Sequence, residues 1–290
     1  MALKEQQLPI TVQAQIENLK SLKLIVEDEI EAKEFLEEVA YFRFIKAYGL
    51  GLKQKNSDYN NQVSFNQLKE LYRFNTKFRT LLFAEIEHIE VGLRCKVSNY
   101  FSLTHGVLGY EDANNFLDRE HHSRVIEEIN RDIEHNKRAP FIKNFRENYE
   151  NGDIPFYALV EVLSFGTLSK FFKNMKGEDK KEISKMYGVG YTFLESWIES
   201  ISHVRNICAH YGRLYNAKLS KTPMLYKEDK YNTNRIFAVL CCMKRINNNS
   251  QRWNTFVDEV SDLISAHPHV VKETMGFPEN WEKVLKFVNK

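Results

Sequence analysis

The sequence predicts an all-α protein. Gly and Pro are scarce among its 290 residues, at 12 and 6, whereas aromatic residues make up 13%. Apolar residues recur at intervals of three and four, and no run of Val, Ile and Thr alternates with polar residues as half-buried strands require. Because 43% of the residues are hydrophobic, the chain can bury a sizeable core. We therefore expect helices from end to end.

The helices follow from apolar periodicity and from residues that favour helix ends. Ser64 and Gln67 have the spacing of a capping box at the start of one helix. Pro155 stands where a first helical turn tolerates proline, and Gly212 stands where a left-handed C-terminal cap is usual. The predicted helical segments are 11–23, 30–48, 64–74, 76–103, 114–136, 140–149, 155–174, 178–187, 190–211, 231–247, 254–266 and 278–288.

The segment 76–103 is predicted to be a central helix because seven apolar residues form a stripe along it. These residues are Phe78, Leu81, Leu82, Ile86, Ile89, Leu93 and Val97. Glu90 and Arg94 lie four residues apart on the same segment, with Glu87 one turn earlier, so the arginine can reach either carboxylate. An ordinary intrahelical ion pair is the simplest interpretation, unless this helix borders an active site.

The chain shows no internal repeat and no low-complexity linker. We predict three regions that fold as one continuous globular unit. Residues 1–75 form an N-terminal helical region, residues 76–220 a helical core, and residues 221–290 a basic C-terminal extension.

Basic residues are concentrated in one part of the chain, although the net charge is only +2. Residues 201–256 contain ten Lys or Arg against Glu228 and Asp229, which gives +8 there and leaves −6 for the rest. Such a segment attracts a polyanion, because neutralised phosphates release counterions. The alternative is a solvated basic face with no ligand.

The composition also predicts the compartment. Residues 1–7 lack the layout of a signal peptide, and no stretch of about 18 apolar residues is present, so we expect a cytoplasmic protein without membrane contact. The four cysteines, Cys95, Cys208, Cys241 and Cys242, lie in apolar helical patterns without paired spacing. This arrangement argues against a disulfide framework and against a zinc site, and it predicts reduced core thiols.

Arg205 and His210 form a pair in which the arginine precedes the histidine with four residues between them. It is the one arginine–histidine pair in the sequence with a separation of four to six residues in that order. With 14 arginines and nine histidines, chance alone supplies about one such pair. The neighbouring residues must therefore indicate whether this pair has a function. At about 100° per residue, Arg205, Asn206, His210 and Arg213 fall on one side of a helix. Apolar residues of the same helix form a separate arc that faces the core.

These side chains suit RNA cleavage without a metal. The reaction needs a base for the 2′-hydroxyl proton, an acid for the leaving oxygen, and cations that stabilise the phosphorane. His210 can transfer a proton near neutral pH, and the Arg205 guanidinium can contact two phosphoryl oxygens. Asn206 can orient either of them through its amide. Because one chain supplies one such histidine, two chains meeting at a twofold axis are the simplest source of both acid and base, which implies a homodimer.

A purely structural interpretation of the same residues remains open. His210 would then interact with free carbonyls at a helix C-terminus, and Arg205 would pair with a carboxylate such as Glu90 or Glu161. A metal-dependent hydrolase is a further alternative, because His121 and His122 with Glu120, or His135 with Glu134, resemble ligand clusters. We do not favour it, since adjacent histidines on a helix point about 100° apart. No metal or cofactor is therefore expected.

Four blocks of the sequence resemble the Abi-like proteins, the AbiD/AbiF group of bacterial abortive-infection factors in the HEPN superfamily. The last block runs from Arg205 to Asn216 and contains Arg-Asn-Ile-Cys-Ala-His-Tyr-Gly-Arg. The earlier blocks occupy residues 13–50, 86–94 and 155–169, in the family's order. The resemblance implies a HEPN-like helical bundle with additional N- and C-terminal helices, a dimeric active site, metal-independent RNA cleavage, and a role in phage defence or in a toxin–antitoxin-like system. It also implies that Arg205, His210 and Asn206 carry the catalysis.

The remaining expectations concern RNA and other partners. We predict RNA contacts from the basic residues Arg213, Lys218, Lys244 and Arg245, and supporting roles around the site for Glu90, Arg94 and Glu161. Tyr215, Tyr226, Tyr231 and Trp253 are available to stack on bases, although most such aromatics belong to a core. A structured RNA, or an antitoxin or regulatory protein, is a plausible partner. The alternative function is an RNA-binding HEPN protein that acts without catalysis in an RNA–protein defence complex.

Overall fold

The computed structural model describes residues 8–288, and within this range it is all-α, as predicted. The predicted absence of a signal sequence in residues 1–7 lies outside the described residues. No helix in the described range combines the length and the apolar character that crossing a bilayer demands. The α-helices are α1 (Val12–Ser21), α2 (Glu29–Glu38), α3 (Tyr41–Tyr48), α4 (Phe65–His105), α5 (Arg119–His135), α6 (Pro140–Asn148), α7 (Phe156–Leu159), α8 (Phe165–Asn174), α9 (Gly177–Lys185), α10 (Tyr191–Ala209), α11 (Ile236–Ile246), α12 (Ser250–Ser265) and α13 (Trp281–Leu285).

The chain divides into two compact units. The first comprises the residues up to Phe78 together with Asp262–Val271, and the second comprises Arg79–Ser261 and the residues from Lys272 onward. The divisions after Phe78 and after Ser261 fall within α4 and α12, and the third division follows Val271. The three predicted regions, with boundaries at residues 75 and 220, stay a prediction.

The first unit has an aromatic core. Helix α2 is capped at its start by Asp28, whose carboxylate accepts hydrogen bonds from the amides of Ile30 and Glu31. One helix was predicted over 30–48, but Val39 and Ala40 adopt non-helical backbone and separate α2 from α3. This break lets rings from both helices pack edge to face. The rings in contact are Phe35, Phe44, Phe65 and Tyr72.

Helix α4 is continuous over 41 residues, although a break was predicted near residue 75. Two polar residues, Asn75 and Thr76, lie there. Asn75 is fully buried, and the Thr76 hydroxyl donates to the Tyr72 carbonyl one turn earlier, so both are accommodated inside the helix. The serine half of the predicted capping box is present at its start, because the backbone N–H of Gln67 donates to Ser64 Oγ at 3.2 Å.

The second unit is built around α10, which packs against α8, α9 and α11, while α8 also packs against α5. The predicted helix 155–174 is interrupted, because Ser164 begins a new helix. Its hydroxyl accepts from the Thr167 amide at 3.0 Å, and its own amide donates to Asp132. The interruption forms a turn, and the helix that follows it, α8, packs against α10.

The C-terminal segments of the second unit form part of its core. Nine of the eleven residues of α11 are buried. Trp253 is also fully buried, and its indole N–H donates to the Leu285 carbonyl at 2.7 Å. Tyr215 is buried as well, which confirms a core position for these two aromatics.

The cysteines are partly as predicted. Cys208, Cys241 and Cys242 are buried, and burial raises the pKa of the Cys208 and Cys241 thiols to about 12. Such thiols stay protonated and unreactive near neutral pH. The expectation of a core position is wrong for Cys95, which is exposed on α4.

Candidate active site at the end of helix α10

Helix α10 ends in a tight cap that fixes the position of His210. His210 is the C-cap residue, and the next residue, Tyr211, has a left-handed φ of 57°. The Tyr211 amide donates to the Cys208 carbonyl at 3.2 Å, and the Gly212 amide donates to the Ile207 carbonyl at 2.7 Å. This pair of bonds is a Schellman motif.

The left-handed residue of this cap is Tyr211, whereas Gly212 was predicted to occupy that conformation. Gly212 is required for a different reason. A Cβ atom there would lie 2.8 Å from Ile207 Cγ2 and 3.0 Å from the Ile207 carbonyl oxygen. The close approach of the chain to the last turn of α10 therefore demands glycine.

Arg79 of α4 anchors this helix end, a contact that no sequence pattern predicted. Its guanidinium donates to the Cys208 carbonyl at 3.4 Å and lies 5.7 Å from the centre of the Tyr211 ring. The Arg79 side chain is buried. A cation at the carbonyl end of a helix is favourable, so Arg79 stabilises the segment that carries His210.

Arg205 is held from two sides. Its Nε lies 3.4 Å from Glu90 Oε2, which is close enough for an ion pair, and its guanidinium lies 5.6 Å from the centre of the Phe83 ring. The Nε–H does not point at the carboxylate, so this buried atom makes no hydrogen bond within the described part of the chain. The side chain keeps 32% of its surface exposed, which leaves part of it open to a ligand.

Glu90 pairs with Arg94 as well as with Arg205. Arg94 also donates to the Val160 carbonyl, which joins α4 to the turn after α7. The simple intrahelical pair is therefore part of a larger network. This network lies beside Arg205, Asn206 and His210, which are called the motif below. Glu161 is exposed and forms no ion pair among residues 8–288, so the carboxylate that Arg205 meets is Glu90.

Asn206 and His210 are both exposed, and they lie one turn apart on α10. With Arg205 beside them, the helix end presents a cation, an amide and an imidazole to solvent. These groups can bind a phosphodiester and transfer a proton. Among these three side chains, His210 is the one that can transfer a proton near neutral pH.

The predicted RNA-contacting residues differ in their exposure and in the contacts that they make within the chain. Lys218 is exposed. Arg213 donates to the carbonyls of Tyr215 and Asn216, at 2.8 and 3.0 Å, and so shapes the loop that follows the motif.

Lys244 and Arg245 have internal partners. The Lys244 ammonium donates to the carbonyls of Val284 and Lys286, and burial lowers its pKa. Arg245 pairs with Asp229 at 2.7 Å and lies over the ring of Tyr226. Their roles in RNA binding stay predictions, and these contacts show that both also stabilise the fold.

A cavity of about 350 Å³ opens beside the motif, between α5, α8 and α10, and Asn206 lines it. Its charged and titratable residues, apart from His121, were not predicted to belong to a site. They are Lys170, Lys173, Glu199, His203 and Lys221. Helical spacing could have revealed part of it, because Glu199, His203 and Asn206 follow one another at intervals of four and three along α10.

The electrostatics of this cavity centre on Glu199 and His203. Lys221 and Lys173 lie 2.7 and 3.6 Å from the Glu199 carboxylate, and the hydrogen bond from Lys221 is the main reason that its pKa is lowered. Burial, followed by the charge of Lys221, lowers the pKa of His203. His203 Nε2 lies 3.1 Å from Ser220 Oγ.

The two adjacent histidines of α5 point to different places, as the helical geometry predicted. His122 is buried, and its Nε2 lies 2.8 Å from the Tyr110 carbonyl, whereas His121 lines the cavity. Glu120 pairs with Arg124. Residues 8–288 contain no group of three His, Cys, Asp or Glu arranged to hold a metal ion.

Comparison with known proteins gives one family. The model of the family described as Abi-like protein matches residues 34–216, which is more than half of the chain. No curated protein and no solved structure matches the sequence of this chain. The matched region contains Glu90, Arg205 and His210.

Proposed function

Because the chain belongs to the Abi-like protein family, we propose that it is a metal-independent endoribonuclease of an abortive-infection system. The family itself indicates a role in abortive infection, a form of defence against phage. The cleavage chemistry rests on one observation. At the end of α10, Arg205 is held between Glu90 and Phe83, next to the exposed side chains of Asn206 and His210.

The proposed reaction is a transesterification within RNA. The 2′-oxygen attacks the phosphorus and the bond to the 5′-oxygen breaks, which leaves a 2′,3′-cyclic phosphate and a 5′-hydroxyl. His210 accepts the 2′-hydroxyl proton or donates a proton to the leaving oxygen, and Arg205 stabilises the charge on the phosphorane. Since each chain has one His210, two copies in a HEPN-type homodimer supply the acid and the base.

The test compares two histidines that occupy similar places. His210 follows the last turn of α10, and His135 is the last residue of α5 and is also exposed. We expect the purified full chain to cut RNA in EDTA with cyclic phosphate ends, His210→Ala to lose cleavage by at least about 100-fold, and His135→Ala to cut normally. Equal cleavage by both variants would refute the catalytic role of His210.

The same variants test the defence role in cells. Expression of the wild type should arrest growth or reduce phage yield, and sequencing of RNA ends should show new 5′-hydroxyl termini. His210→Ala should be harmless and give no protection. A gene product whose co-expression abolishes the arrest would be the antitoxin that a toxin–antitoxin-like system requires.

A second candidate is an RNA-binding protein without catalysis. The observation in its favour is that Glu90 already accompanies Arg205, while His210 serves as a helix C-cap, so both residues have structural roles. This function predicts salt-sensitive RNA binding, no cleavage products, and full activity of His210→Ala in phage defence. A gel shift beside the cleavage assay distinguishes it from the endoribonuclease.

A further inference from the structure

The cavity beside Asn206 has an excess of positive charge. Lys170, Lys173 and Lys221 line it, and Glu199 is the one acidic residue among its lining residues. Lys170 also pairs with Glu128 outside the lining, so with neutral histidines three positive charges and two negative charges leave a surplus of one. The Glu199 carboxylate contacts Lys173 and Lys221 together, so it holds two ammonium groups close to each other at the wall. Two neighbouring cations of this kind favour an anion such as a phosphate.

The cavity also adjoins the motif. Asn206 belongs to both, and His210 lies one turn further along α10, about 6 Å along the helix axis. A cavity of about 350 Å³ is of the size that holds a small ligand. His121 and His203 add two imidazoles, which can donate hydrogen bonds to a phosphate or stack against a base.

We propose that this cavity is a binding subsite for a ribonucleotide of the RNA strand, with Lys173 and Lys221 contacting its phosphate next to the bond that is cut. The inference rests on the function proposed above. It adds a substrate-binding surface that lies upstream of the motif on α10 and that uses residues of α5 and α8. None of its lining residues is among the residues predicted from the sequence to contact RNA, which include Lys244 and Arg245.

The charge test uses three lysines that each pair with a glutamate. Lys173 and Lys221 contact Glu199, whereas Lys185 pairs with Glu182 and is not among the cavity-lining residues. Each would be changed to Met in full-length His210→Ala protein, so that the RNA stays intact. Binding of a fluorescein-labelled single-stranded oligoribonucleotide would be measured by anisotropy at several KCl concentrations.

The expected result is quantitative. Loss of one phosphate contact to a single strand should reduce the slope of log K against log salt by about 0.7. We expect this change for Lys173→Met and for Lys221→Met, and no change for Lys185→Met. Unchanged affinity and slope in both cavity variants would overturn the proposal.

A steric test does not depend on charge. Gly166 lines the cavity, and a Cβ atom there would meet Ser164 Oγ at 3.6 Å and no other group within 4 Å, so a larger side chain has room to enter. Gly166→Leu should weaken RNA binding without lowering the melting temperature. The control is Gly177→Leu, at the start of α9, where an added Cβ meets nothing within 4 Å. Normal RNA binding by Gly166→Leu would contradict the subsite.

Two further measurements separate the possible failures. Direct binding of 5′-AMP, measured by calorimetry, without any binding of the oligoribonucleotide would identify a free nucleotide as the ligand and would overturn the RNA subsite. If the wild type does not cleave RNA but the cavity variants still bind it less well, the proposed catalysis fails and the subsite stands. If the wild type cleaves and the cavity variants show an unchanged KM, the subsite fails and the catalysis stands.

Discussion

Glu90 is a buried carboxylate that forms ion pairs with two arginines, and one of these pairs orients Arg205. It pairs with Arg94 on its own helix and with Arg205 on α10. Removing one partner of a buried charge network leaves the other charges uncompensated, which costs more than the pair contributes when it is intact. The residue is therefore important for stability as well as for the orientation of Arg205.

We predict that Glu90→Ala lowers the free energy of unfolding by about 3–5 kcal/mol, because Arg94 would remain buried without its carboxylate. The control is Glu87→Ala, an exposed carboxylate on the same helix, which should change it by less than about 0.5 kcal/mol. Urea titration followed by circular dichroism measures both. Equal stabilities of the two variants would contradict this account of Glu90.

His203 gives a prediction on pH. Its pKa lies below the ordinary value of 6.5 in the folded protein, first because of burial and second because of Lys221. The unfolded chain therefore binds this proton more readily. The stability that neutral His203 provides is complete above about pH 6.5 and is lost as the pH falls towards the lowered folded value. We expect the wild type to lose more stability than His203→Gln between about pH 7.5 and about pH 5.5.

The measurement is the difference in unfolding free energy between the two proteins at each pH. The charged or titratable groups that line the cavity with His203 are His121, Lys170, Lys173, Glu199 and Lys221. His135→Gln on the exposed end of α5 serves as the control, and its difference from the wild type should not show this change. A difference between wild type and His203→Gln that stays constant with pH would show that the protonation of His203 is not linked to folding.

At the scale of the element, the same substitution has opposite effects at two glycines. Gly92 lies in the middle of α4, and an added Cβ would meet nothing within 4 Å, whereas an added Cβ at Gly212 would collide with Ile207. We predict that Gly92→Ala stabilises the protein by about 0.5–1 kcal/mol, because alanine loses less backbone entropy in a helix. Gly212→Ala should destabilise it by about 1–3 kcal/mol through overpacking.

Melting temperatures of the two variants, measured in parallel, test this prediction. Gly212→Ala should also reduce RNA cleavage, since it displaces the turn that holds His210, whereas Gly92→Ala should leave cleavage unchanged. The same direction of change in melting temperature for both variants would disprove the description of the α10 cap.

Local patterns predicted most helices, but they did not predict contacts between segments distant in sequence. The Ser64 cap and the stripe of α4 depend on residues within a few positions of one another, so the sequence contains their cause. The helix breaks at Val39 and before Ser164 depend on packing and on Asp132, which no local pattern shows. In the candidate site, the spacing identified Arg205 and His210, while Arg79 lies 129 positions before the carbonyl that it contacts.

At the scale of the whole molecule, the +8 of residues 201–256 overstates the charge that a ligand meets. Arg252 pairs with Glu85, and Lys221 pairs with Glu199, so acidic residues outside the segment neutralise part of it. Arg235 and Lys244 donate to backbone carbonyls instead of facing a ligand. Beside Asn206, the cavity gains Lys170 and Lys173, which precede the segment, and Lys170 in turn pairs with Glu128. A charge count along the sequence therefore indicated an excess of basic residues, but it did not indicate which surface of the folded protein carries the positive charge.

The proposed dimer predicts how activity falls when active and inactive chains are mixed. If one site needs His210 from both chains, only dimers of two wild-type chains cut RNA. Random pairing of wild type with an equal amount of His210→Ala then leaves about one quarter of the activity that the same total of wild type has. Chains that work independently would leave about one half.

Cell-free synthesis of two differently tagged chains in one reaction gives the mixed dimers, and cleavage of a labelled RNA in EDTA gives the rate. Substituting His135→Ala for His210→Ala is the control, because its exposed histidine ends a helix without being part of the motif, and it should preserve full activity. Purification through both tags in sequence isolates the mixed dimer directly. An active mixed dimer would show that one His210 is enough, and the second proton-transfer group would then have to be sought within the same chain, first among His203 and His121 of the neighbouring cavity.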